Sequence, residues 1–143
     1  MTDTSVLLVD DEEDFVEALA ERLVARGLRA DTAGSGAEAI ARVKERAYDA
    51  VLLDMAMPGL DGLQTLKALL AINPDLQVIL LTGRATLKQG VEAMKLGALD
   101  LLEKPADIAT LEARIENAAR RRTSLDDQRV QNRVGDILRK KGW

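Results

Sequence analysis

Short, unbroken apolar runs that end in an acid or a hydroxyl residue recur along this chain, and between them the apolar residues switch to helical spacing. The clearest runs are Ser5-Val6-Leu7-Leu8-Val9, Ala50-Val51-Leu52-Leu53 before Asp54, and Val78-Ile79-Leu80-Leu81 before Thr82. Each has the length of a strand, and a run with no polar side has no solvent face, which suits a parallel strand covered on both sides. Leu28 to Ala33 reads as a weaker, half-exposed strand, and Ala98 to Leu102 as a short fifth one. Between them Phe15, Leu19 and Leu23 recur at four-residue spacing, with Val16 and Ala20 beside them. Ser35-Gly36-Ala37-Glu38 has the capping-box spacing and opens a helix through about Glu45. Leu63, Leu66, Leu69 and Leu70 share a helical face, Leu87 to Lys95 follows, and Ile108, Leu111 and Ile115 mark a last helix. Gly27, Asn73-Pro74-Asp75 and Gly97 are the stops. Such alternation predicts an α/β fold, doubly wound, with five parallel strands and helices on both faces.

The 143 residues fit one domain of ordinary size with a short appendage, and leave no room for a second catalytic or DNA-binding domain of usual size. Cysteine and histidine are both absent. That excludes disulfides, thiolate or imidazole metal ligands and a histidine base, so any phosphohistidine chemistry must come from a partner. No apolar run approaches the roughly 20 residues of a membrane span. The acidic start has no basic signal-peptide region, so a cytoplasmic location without membrane contact is expected.

Charge divides the chain. From Arg120 onward there are eight basic and three acidic side chains, a net +5, whereas the preceding 119 residues carry 12 basic and 21 acidic, a net −9. The expected organisation is a domain over residues 1–122 and a basic, helical tail over 123–143, with Val130, Val134, Ile137 and Leu138 along one face. The tail is too short to fold alone. It is expected to extend the last helix or fold back on the body and bind a partner, a second copy of the chain included. Phe15, Tyr48 and Trp143 are the only aromatics, which leaves almost nothing for base stacking, so nucleic-acid binding is not expected of this chain.

In open parallel sheets ligands bind beyond the carboxyl ends of the strands. That edge would gather Asp10 and Asp11 after the first strand, Asp54 after the third, Thr82 after the fourth and Lys104 after the fifth. Converging carboxylates repel and raise one another's pKa unless a cation joins them. With oxygen donors only, Mg²⁺ is the fitting ion, keeping several waters. Thr82 and Lys104 are donors suited to phosphoryl oxygens. A carboxylate nucleophile, a metal, a lysine and a hydroxyl are the parts needed to form an acyl phosphate. Taken singly, each has an ordinary reading as helix-start charge or turn residue. Four strand ends each carrying the needed residue is improbable by chance.

These segments resemble the receiver domain of bacterial two-component response regulators. The likeness is carried by Val6 to Glu12, by Leu53-Asp54-Met55-Ala56-Met57-Pro58-Gly59-Leu60-Asp61-Gly62, and by Leu81-Thr82-Gly83 continuing through Ala93 to Ala98 and on to Glu103-Lys104-Pro105. It covers about residues 4 to 122, and its last stretch looks most like receivers of the nitrogen-regulation activators. The resemblance implies a flavodoxin-like sheet in the order 2-1-3-4-5. It implies that Asp54 is the phosphoacceptor. Asp11 would hold Mg²⁺ directly and Asp10 partly through water, with Asp54 and the Ala56 carbonyl as further ligands. Thr82 and Lys104 would bind the phosphoryl group, and the bond before Pro105 would be cis. The partner would be a sensor histidine kinase or a histidine phosphotransfer protein.

Three positions depart from the usual receiver pattern. Leu101 stands where the family has a switching Tyr or Phe, and a leucine has no ring to swing, so the readout is expected in the backbone after Thr82 and the helix beyond it. Ala56 and Arg84 stand at positions that flank the phosphoryl group and tune its lifetime. The reading that follows is phosphorelay signalling by a switch that promotes its own phosphorylation and dephosphorylation without being a metabolic enzyme. One alternative is an aspartate-nucleophile phosphohydrolase, which needs a second carboxylate where Ala56 stands. The other is a degenerate, interaction-only receiver, against which the intact acids, Thr82 and Lys104 speak. Both a stand-alone receiver and a piece of a longer regulator fit this pattern.

Overall fold

The computed structural model describes residues 4–56, 62–83 and 86–140. Five strands, β1 (Ser5–Val9), β2 (Arg29–Ala33), β3 (Ala50–Asp54), β4 (Val78–Thr82) and β5 (Asp100–Glu103), alternate with α1 (Glu13–Ala25), α2 (Gly36–Glu45), α3 (Gly62–Ile72), α4 (Leu87–Leu96) and α5 (Ile108–Lys140). The strands form one sheet in the order β2-β1-β3-β4-β5, and every pairing is parallel. This is the doubly wound order that the resemblance implied.

The unbroken apolar runs are the central strands. All five residues of β3 and of β4 are buried, whereas the edge strands β2 and β5 are only partly so. Because side chains alternate along a strand, each run feeds two cores. Leu7, Val9, Val51, Leu53, Val78 and Leu80 face α2, α3 and α4. Val6, Leu8, Ala50, Leu52, Ile79 and Leu81 face α1 and α5, where they meet Leu19, Leu23, Leu111 and Ile115.

Local chemistry sets the helix ends. Ser35 accepts the Glu38 N–H at 3.1 Å, and the Glu38 carboxylate accepts the Gly34 N–H at 2.9 Å, so the predicted capping box is present with its return bond one residue earlier. Gly27 and Gly97 have φ of 94° and 119°, left-handed values that glycine adopts without strain, and they terminate α1 and α4. The fifth strand begins at Asp100, later than the apolar pattern suggests. The Ala98 N–H is still committed to closing α4, on the Ala93 carbonyl. On α1 the four-residue spacing misassigned one member: Val16, Leu19 and Leu23 are buried, but Phe15 is 42% exposed.

The last helix passes the expected boundary at Arg120–Arg122 without a break. Its first turns are held by buried Leu111, Ile115 and Ala118. Beyond them Arg122 pairs with Asp49 at 3.0 Å and Arg129 pairs with Asp75. Val130, Val134, Ile137 and Leu138 remain exposed.

Tyr48 lies buried beside the edge strand β2 and donates its hydroxyl to Asp31 at 2.6 Å. Burial, then the bond to Asp31 and that carboxylate's charge, push the phenol up from 10.0 to about 12. The folded state therefore holds this proton more tightly than the unfolded chain. Its contribution to stability is complete below pH 10 and is lost as pH rises towards 12. Tyr48 is the only tyrosine, so the phenolate absorbance of the native protein should titrate near pH 12. A midpoint near 10 in folded protein would refute the contact.

Candidate functional site

Parallel pairing brings the carboxyl ends of β1, β3, β4 and β5 to one edge of the sheet, and the predicted residues stand there. Asp10 directly follows β1, where its N–H donates to the Ala33 carbonyl at 3.0 Å and extends the ladder to β2 by one bond. Asp54 and Thr82 are the last residues of β3 and β4. Lys104 directly follows β5, and its N–H donates to the Thr82 carbonyl at 2.7 Å. The Lys104-Pro105 peptide bond is cis.

These side chains meet. Asp10, Asp11 and Asp54 each offer a carboxylate oxygen, and the three oxygens lie within 4.8 Å of one another. Asp10 and Asp54 are buried and Asp11 is exposed. The Lys104 ammonium lies 3.4 Å from Asp10 Oδ2 and 3.4 Å from Asp54 Oδ2. The opposite oxygens are tied to backbone: Asp10 Oδ1 accepts the Glu12 N–H at 3.0 Å, and Asp54 Oδ1 accepts the Ala56 N–H at 3.1 Å. Each buried carboxylate is thus oriented by an amide on one side and a cation on the other.

The electrostatics follow from this geometry. Burial pushes the Asp10 carboxyl up and the Asp54 charge adds to that, against the lowering effects of the Glu12 N–H and Lys104. Burial works against the charge of Lys104, but Asp54 and Asp10 outweigh it, so its pKa is raised and it stays an ammonium at neutral pH. Three carboxylates facing one ammonium leave the cluster net negative. A donor set made only of oxygens, with acids still uncompensated, fits a hard divalent cation.

Thr82 is fully buried, and its Oγ1 has no hydrogen-bond partner among the described residues. A buried polar atom left unpaired costs about 1–3 kcal/mol, so this hydroxyl stands ready to accept a partner at the site. After Thr82 the loop is closed by Thr86, whose Oγ1 accepts the Gly83 N–H at 3.0 Å and whose N–H donates to the Gly83 carbonyl at 3.2 Å. Leu101 is half-buried in β5 and packs with the core beneath α4. Arg84 and residues 57–61 lie outside the described residues.

One neighbour escaped the sequence reading. The Phe15 ring lies 5.3 Å from the Lys104 ammonium, a cation–π distance. Four-residue spacing alone puts Phe15 with the α1 core, because it ignores which side of the stripe a ring takes. Its place one turn beyond the acidic loop was the available signal.

Residues 6–116 match the response regulator receiver domain family. Transcriptional regulatory protein ZraR of Escherichia coli K12 is 38% identical over 121 residues, which are 85% of this chain and 27% of ZraR. Transcriptional regulatory protein PrrA of Mycobacterium tuberculosis is 39% identical over 124 residues, 87% of this chain and 53% of PrrA. The chain therefore spans from about a quarter to about half the length of these curated relatives. A response regulator receiver domain protein from Clostridium thermocellum has a similar solved structure. Its TM-score is 0.82 at 34% identity, over 85% of this chain and 98% of that one. Family match, sheet order and the identity to solved receivers agree, and the chain belongs to the response regulator receiver domain family of two-component signalling.

Proposed function

We propose that Asp54 accepts a phosphoryl group from a phosphohistidine on a sensor histidine kinase or histidine phosphotransfer protein. The observation that carries this reading is the shared ammonium: Lys104 lies 3.4 Å from both Asp54 and Asp10, at the buried end of β3. A carboxylate oxygen of Asp54 attacks phosphorus, an O–P bond forms, the P–N bond of the donor breaks, and the imidazole leaves with the electron pair. The Ala56 N–H holds the other Asp54 oxygen and fixes the direction of attack. Lys104 pairs with the transferred phosphoryl oxygens, and the unpartnered Thr82 hydroxyl donates to one of them. Asp10, Asp11, Asp54 and the Ala56 carbonyl would hold Mg²⁺, which when bound neutralises charge on the phosphoryl oxygens. Hydrolysis of the acyl phosphate resets the switch, at a rate tuned by Ala56 and Arg84. This chemistry serves the protein's own state and no metabolic substrate.

The phosphohydrolase alternative is disfavoured, since Ala56 offers no acid or base two residues after Asp54. The reading places the receiver proper in residues 1–122 and assigns 123–143 to a basic helical extension that meets a protein partner, a second copy of the chain being one. A cytoplasmic setting suits a kinase partner. Among the described residues no helix is long and apolar enough to cross a membrane.

Three experiments test the proposal. With acetyl phosphate and Mg²⁺, intact mass should show one added phosphoryl group on the wild type. Asp54→Asn should stay folded and gain none, and full labelling of that variant would move the acceptor elsewhere. Mg²⁺ should raise the thermal midpoint of the wild type by a few degrees at about tenfold above its dissociation constant. Asp11 is exposed, so Asp11→Ala should fold normally yet lose that shift. Excess EDTA should block labelling without unfolding the protein, and labelling that persists in EDTA would remove the metal from the mechanism.

A further inference from the structure

Helix α4 approaches the sheet most closely where it has no side chain. A Cβ built on Gly90 would lie 2.8 Å from Leu101 Cδ1 and 2.8 Å from Thr82 Cγ2, distances real Cβ atoms do not tolerate. The volume an alanine would need is therefore already taken by a leucine methyl and a threonine methyl. The strand register explains why these two meet. Leu80 is the partner of Leu101 across the β4–β5 ladder, and Thr82 lies two residues beyond Leu80, on the same face.

Thr82 is β-branched, so Oγ1 and Cγ2 share one Cβ and turn together about a single stiff torsion. Wherever the methyl is held, the direction of the hydroxyl is fixed. Here the methyl is held in the Gly90 notch, and the hydroxyl is left buried without a partner. From this we infer that Gly90 and Leu101 are positioning residues for Thr82: the notch stabilises the resting direction of its hydroxyl and so lowers the affinity of the site for a phosphoryl group. The inference rests on the phosphoacceptor reading of Asp54 and adds to it the two residues that set the resting state. Leu101, which lacks the family's aromatic ring, has a steric part here instead: its methyl fills the notch beside that of Thr82. When an anion at Asp54 recruits the hydroxyl, the methyl leaves the notch, and α4 loses the contact.

The test is calorimetric titration of the full chain with beryllofluoride, a phosphoryl mimic, in the presence of Mg²⁺. Gly90→Ala fills the notch and evicts the methyl. Leu101→Ala removes one of its walls. Each should tighten beryllofluoride binding roughly five- to tenfold. In a Thr82→Ser background, which keeps the hydroxyl but has no methyl, neither substitution should change the affinity. A residue that matters only for packing would move the thermal midpoint and leave this affinity alone. If Gly90→Ala does not fold, Leu101→Ala carries the test alone. Wild-type binding that is unchanged in the variants, or tightening that persists with Thr82→Ser, overturns the inference and leaves Asp54 as acceptor intact. A wild type that does not bind beryllofluoride overturns the phosphoacceptor reading and this inference together.

Discussion

Two buried carboxylates share the end of this sheet because an ammonium stands between them. Without Lys104, Asp10 and Asp54 would be buried like charges with only backbone amides to set against their repulsion. With it, each keeps a cation on one oxygen and a backbone amide on the other. The arrangement depends on parallel strands. Parallel pairing delivers the carboxyl ends of β1, β3 and β5 to one edge, and burial of β3 and β4 takes Asp54 and Thr82 out of solvent there.

The hydroxyl at the end of β4 complements this charge balance. Asp10 and Asp54 each have a backbone amide and share the Lys104 ammonium, whereas Thr82 Oγ1 has no partner among the described residues. The resting site therefore holds an unpaired donor beside a cluster of carboxylates that is still net negative. A new anion at Asp54 that drew the hydroxyl over would give it the partner it lacks, and the cost of keeping it buried unpaired would be recovered on binding.

Much of this was legible from residue order. Val6 to Val9, Val51 to Leu53 and Val78 to Leu81 are apolar on both faces, and such strands have few other homes. The acids, Thr82 and Lys104 could be assigned to one edge because strand ends follow from those runs. What escaped was whatever depends on packing between elements. The exposure of Phe15 depends on where α1 sits over Lys104. The late start of β5 depends on how α4 closes. The notch at Gly90 depends on a helix-to-sheet distance that sequence spacing does not encode. The basic segment was legible as helical and as distinct in charge. Its continuity with α5 follows from a run of helix-forming residues with no glycine or proline between Ile108 and Val134.

That continuity makes α5 a lever. Its 33 residues span about 50 Å at 1.5 Å per residue. It begins four residues after Lys104, at the charged edge, and leaves the domain at the opposite pole. There Arg122 pairs with Asp49 and Arg129 with Asp75, on the two loops that lead into β3 and β4, and these pairs would serve as the pivot of any tilt. About such a pivot a tilt of roughly 5° at the charged edge would swing the distal end by about 1–2 Å, in the opposite sense. Whatever is joined to or docked on that end would receive mechanical displacement rather than chemistry.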